Sequence, residues 1–113
     1  MKYKIVDNFL NESCFDYLSS LELKEVKSNQ ILSYHNQIYK NGEIKTTCIN
    51  PKILKELQEA SHKIAIEILS ELAPQKAELY EYSDFNIIET GKDYTFPIHR
   101  DHVNKLLSGV VYL

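Results

Sequence analysis

His99 and Asp101, in the stretch FPIHRDHVNKLLSGVVYL at residues 96–113, are the two side chains of this sequence best suited by type and spacing to chemistry. In an extended strand, residues two apart leave the same face, so an imidazole and a carboxylate emerge together while Arg100 leaves the other side. They supply two of the three donors of the 2-His-1-carboxylate arrangement, which holds Fe(II) and keeps coordination positions open. His102 points away from that pair unless the chain bends first.

Other reactive residues form no comparable constellation. Cys14, Cys48, His99 and His102 are zinc-ligand types, but their separations lack the close pairing of structural zinc sites. Cys14 and Cys48 are expected to be reduced thiols. His35 and His62 have no partner at ligand spacing and are expected to be structural or exposed. Arg100 and Lys105 read as solvated strand-edge charges. Tyr80, Tyr82, Tyr94 and Tyr112 fall in the strand-rich half, where tyrosine is first of all a good strand former. No Ser-His-Asp or Cys-His arrangement and no phosphate-cradling glycine loop stands out.

A length of 113 residues is one domain's worth, and 43% hydrophobic with 26% charged residues is the balance of an ordinary globular protein. The net charge of −3 gives no broad basic footprint, so no nucleic-acid partner is expected. No apolar run reaches the length of a membrane span, and MKYKIVDNFL lacks the features of a signal peptide. The expected compartment is the cytoplasm.

The elements that must position the pair follow from periodicity. Residues 3–6 read as a short strand. Asn11 reads as the cap of a helix with Phe15, Leu18 and Leu21 on one face. ILSYHNQIYKNGEIKTTC reads as a β-hairpin, with Asn41-Gly42 as a two-residue turn. Asn50-Pro51 opens a long helix in which Ile53, Leu54, Leu57, Ile64, Ile68, Leu69 and Leu72 recur until Ala73-Pro74. Its polar side, including Lys52, Lys55, Glu56, Glu59, Lys63 and Glu67, is expected in solvent. From Ala77 the period moves towards two, predicting three strands: ELYEYSDFNIIE, then YTFPIHRD after a turn at 90–93, then KLLSGVVYL. The last is the most apolar, and an open apolar edge invites pairing.

The pattern IIETGKDYTFPIHRDHVNKLLSGVVYL resembles the iron(II)- and 2-oxoglutarate-dependent dioxygenases, particularly the prolyl 4-hydroxylase-like branch. It has a strand, a glycine-containing turn, an aromatic and a proline ahead of His-x-Asp, then an apolar strand ending in Tyr-Leu. The opening IVDNFLNESCFDYL is similar to the segment with which many of these proteins begin. The resemblance implies an α+β chain, a single domain over 1–113, with helices packed on the first strands of a double-stranded β-helix (jelly-roll, cupin-like) that is incomplete here. It implies Fe(II) as a cofactor held by His99 and Asp101, with 2-oxoglutarate as cosubstrate and Tyr94 or Tyr112 as its contacts. The reaction implied is hydroxylation of a peptidyl or small-molecule substrate coupled to decarboxylation of 2-oxoglutarate.

The family's distal histidine and its 2-oxoglutarate-gripping Arg or Lys lie several strands after His-x-Asp, and only twelve residues follow Asp101 here. Thr90 stands where the branch commonly has a tyrosine. The isolated chain is therefore expected to be the N-terminal portion of such a domain and inactive alone, completed by a complementing chain. The alternative is a noncatalytic binding protein of the same fold that forms a homodimer through residues 106–113.

Overall fold

The computed structural model describes residues 4–22, 25–96, 105–111 and 113. The chain is α+β, with two α-helices and a three-stranded antiparallel sheet. Helix α1 spans Glu12–Ser19, and the Asn11 side chain accepts from the Cys14 backbone N–H at 2.8 Å, satisfying a donor the first turn leaves orphaned. Cys14 and Leu18 carry its buried face, Leu21 is half-buried just beyond it, and Phe15 is exposed.

Strands β1 (Ile31–Tyr39) and β2 (Ile44–Thr46) form the expected hairpin, but its turn is longer than expected. The Gly42 N–H donates to the Tyr39 carbonyl and the Tyr39 N–H to the Glu43 carbonyl, both at 2.9 Å, closing a three-residue loop. Only Gly42, at φ +90°, takes the left-handed conformation, whereas a two-residue type I′ turn needs Asn41 there as well. Beyond the loop the register shifts by one between Gln37 and Ile38, where Lys45 is the extra residue on β2.

Helix α2 (Pro51–Leu72) starts as the sequence predicts, with Asn50 accepting from the Lys52 N–H and proline in the first turn. It ends at Ala73, ahead of Pro74. Ile53, Leu54 and Leu57 pack with Cys14, Leu18, Ile38 and Ile49 into one core between the helices and the sheet. Phe85 and Ile87 close it from β3 (Tyr82–Thr90).

The central strand is β1, with sheet order β2-β1-β3. Its pairing with β3 is continuous from Ile31↔Thr90 to Tyr39↔Tyr82. Tyr34↔Ile87, Asn36↔Phe85 and Ile38↔Ser83 lie on the α2 side, and His35↔Asn86, Gln37↔Asp84 and Tyr39↔Tyr82 on the opposite face. Asn36, fully buried, donates to the Phe85 and Tyr34 carbonyls and accepts from Thr47 Oγ1 and the Cys48 N–H. That amide fastens the β2–α2 connection to the centre of the sheet.

Several strand assignments are corrected. Residues 4–6 are not strand, and residues 74–79 form a 3-10 segment where strand was expected from Ala77, because Pro74 starts a helical turn. One strand follows α2 among the described residues; most of the expected strand YTFPIHRD, residues 97–101, lies outside them. Residues 94–96 and 105–111 make no ladder; an apolar, β-branched pattern makes a strand only where a backbone partner is at hand. Among the described residues no helix is long and apolar enough to cross a membrane.

Candidate functional site

His99, Asp101, Arg100, His102 and Tyr112 lie outside the described residues. What can be built is the approach to them. Strand β3 delivers the chain to Gly91, whose N–H donates to the Gln30 carbonyl at 2.8 Å. The Asn29 N–H and Ser28 Oγ both donate to the Lys92 carbonyl, at 2.9 and 3.0 Å. A Cβ at position 91 would run into the Lys27 carbonyl, so this close approach admits only glycine. Asn29 and Asp93 take the left-handed conformation on either side, at φ 62° and 64°, as their short polar side chains allow. The segment entering the His-x-Asp motif is thus pinned by the loop that leads into β1.

Tyr94 is half-buried at the end of this turn, its N–H donating to the Gly91 carbonyl at 3.3 Å. Its ring meets Phe96 edge-on, with centroids 4.9 Å apart. The contact is apolar, and residues 94 and 96 present both rings just ahead of the motif.

The sequence missed a histidine–carboxylate pair elsewhere. His35 Nε2 lies 3.1 Å from Asp84 Oδ1, across β1 and β3 on the sheet face opposite α2. An ionised carboxylate only accepts, so Nε2 carries the proton and donates. Both side chains are about half exposed, so the pair contributes at most about 1 kcal/mol. Its signal was hidden because 49 residues separate the partners. Among the described residues no three His, Cys, Asp or Glu side chains are placed to share a metal.

A shallow cleft of about 380 Å³ lies between the hairpin loop and α2, lined by Lys40, Asn41, Gly42, Gln58, Glu59 and His62. His62 meets Tyr80 edge-on, with ring centroids 5.1 Å apart. Its Nδ1 has no hydrogen-bond partner among the described residues, but that atom is sealed from solvent and so offers nothing to a ligand in the cleft.

Cys14 is buried, and its thiol donates to Glu56 Oε2 at 3.1 Å, so Glu56 is not the purely solvated charge that its position suggested. Burial first, and then the hydrogen bond and charge of Glu56, push this thiol up to about 11. At neutral pH it is no nucleophile. Because the folded chain holds this proton more tightly than the unfolded one, the associated stability is complete below the ordinary value of 9.0 and is lost as pH rises through about 11. Unfolding free energies from urea titrations between those limits are expected to fall more steeply with pH for the wild type than for Cys14→Ala, by at most about 1.4 kcal/mol per pH unit. Parallel curves would remove the assignment.

Comparison with protein-family models, with curated proteins and with solved structures finds no match to this chain.

Proposed function

We propose that this chain carries the first two metal ligands of an iron(II)- and 2-oxoglutarate-dependent dioxygenase, with its sheet the beginning of a double-stranded β-helix. The observation that carries the reading is the order of its parts: strand β3, a glycine-only turn at Gly91, the Tyr94–Phe96 pair, then His99-x-Asp101. The packing of both helices against one side of the sheet supports it.

The donor types fit iron, an imidazole nitrogen and a carboxylate oxygen being suited to Fe(II) with open positions. Bound iron would supply oxygen activation. His99 and Asp101 would hold it, and Tyr94 and Tyr112 are the proposed contacts to 2-oxoglutarate. A dicarboxylate needs a paired cation when buried, which neither His99 nor Asp101 supplies as a metal ligand.

Anaerobic calorimetric titration with Fe(II) tests the ligand assignment without relying on turnover. Asp101→Ala and His99→Ala are each expected to weaken binding by more than about 100-fold, since even supporting groups around a metal are worth ~10–100-fold. Affinity unchanged by Asp101→Ala would sink the assignment. Absence of binding by the wild type would favour the second reading, a noncatalytic binding protein. The exposure of Leu107, Val110, Val111 and Leu113 supports that reading, since clustered exposed apolar side chains mark association surfaces.

A further inference from the structure

The geometry points to a homodimer formed by antiparallel pairing of β3 with β3 of a second copy, about a two-fold axis at Asn86. The inference rests on β3 alone and stands whether or not the chain binds iron.

Backbone polarity comes first. The Lys40 N–H donates to the Glu81 carbonyl and the Gly91 N–H to the Gln30 carbonyl, at the two ends of the β1–β3 ladder. Hydrogen-bonded pairs alternate in an antiparallel ladder, so odd-numbered residues of β3 direct their N–H and C=O groups at β1. The same groups of Tyr82, Asp84, Asn86, Ile88 and Thr90 then point to the outer edge. Among the described residues that edge has no strand beside it.

Folded proteins protect such an edge with charged side chains, lysine above all, or with proline, a bulge or extreme shortness, and of these β3 has two carboxylates, Asp84 and Glu89. Tyr82–Thr90 is nine residues long, contains no lysine, arginine, proline or glycine, and pairs with β1 without a bulge. The strand is therefore long and only lightly protected against pairing.

Charge and register choose the occupant and the alignment. A two-fold axis at Asn86 sets Asn86 against itself, Asp84 against Ile88 and Tyr82 against Thr90, all in outward-facing hydrogen-bonding phase. The two carboxylates of the strand, Asp84 and Glu89, then oppose Ile88 and Ser83, so no like charges meet. An axis at Asp84 would set that carboxylate against its own copy, which is unfavourable. An axis at Ile88 would leave Tyr82 and Asp84 beyond the other strand's end. One register therefore satisfies all five outward residues, and Tyr82 and Ile88, 44% and 49% exposed, gain cross-strand neighbours in it.

Analytical ultracentrifugation of the whole chain over a concentration series is expected to show a monomer–dimer equilibrium. Asn86→Pro removes both central N–H donors while leaving the β1 ladder intact, because that N–H faces outward. It is expected to raise the dimer Kd roughly 30-fold, the effect of losing two interchain hydrogen bonds. A monomer at every concentration, or a dimer indifferent to Asn86→Pro, would overturn the pairing; a monomer with slow amide exchange along β3 would identify a strand of the same chain as the occupant. If Asn86→Pro does not fold, oxidation of Asn86→Cys in a Cys48→Ser background decides. A disulfide-linked dimer supports the two-fold axis, and its absence refutes it.

Discussion

Replacing Asn36 by alanine is expected to lower the unfolding free energy by about 2 kcal/mol, read as a reduced urea midpoint with an unchanged slope. The side chain is wholly buried and spends its amide on four partners in three segments: the Phe85 carbonyl at 2.9 Å on β3, the Tyr34 carbonyl at 3.3 Å on β1, and Thr47 Oγ1 at 3.0 Å with the Cys48 N–H at 2.7 Å before α2. Truncation strands the Cys48 N–H in a site that water does not reach, at a cost of about 1–3 kcal/mol, whereas the Phe85 carbonyl keeps its ladder partner, the Asn36 backbone N–H. Thr47 keeps its bond to the Ile49 carbonyl, which sets a ceiling on the loss. Asn36→Asp is expected to be worse at neutral pH, since it turns a donor into a second anionic oxygen facing two carbonyls. Equal stability of Asn36→Ala and wild type would show that the amide is not the fastening point.

Leu54→Ala is expected to cost about 3–4 kcal/mol, close to the whole stability of a marginal small domain. Leu54 has no solvent exposure and belongs to the cluster that joins α1 through Cys14 and Leu18, α2 through Ile53 and Leu57, and the sheet through Ile38. Removing its branch opens a void where two helices meet a sheet, and such a site collapses poorly. Ile64→Ala, at a half-buried position on the same helix, is expected to cost about 1 kcal/mol, in proportion to the smaller area it withdraws from water. Chemical denaturation of both variants separates core from periphery, and a Leu54→Ala cost no larger than that of Ile64→Ala would displace the core from the α1–α2 junction.

What the sequence discloses here is local. Asn11, Asn50-Pro51 and Ala73-Pro74 mark helix ends because a cap acts on backbone groups within a turn of itself. The hairpin was legible from Asn41-Gly42, but not its loop length, which turned on whether Asn41 as well as Gly42 would take positive φ. Asn36 looks in the sequence like any polar residue of a strand. Its value comes from Phe85 and Cys48, which only the fold brings to it. His35 and Asp84 were opaque for the same reason. Residues 105–111 show the converse failure, with strand-like composition and no ladder among the described residues. The His99-x-Asp101 spacing was legible because two ligands on one strand need no tertiary information.

The placement of β1 at the centre of the sheet also dictates an order of assembly. Its hairpin with β2 closes a loop of a few residues, whereas Asn36 and Phe85 meet across 49 residues that include all of α2. Closing the longer loop costs more chain entropy before any contact rewards it. The hairpin and α2 can gather around Ile38 and Leu54 early, while β3 docks last. The segment entering the His-x-Asp motif is therefore expected to acquire its anchor at Gly91 late in folding and to show early amide exchange when the chain opens locally.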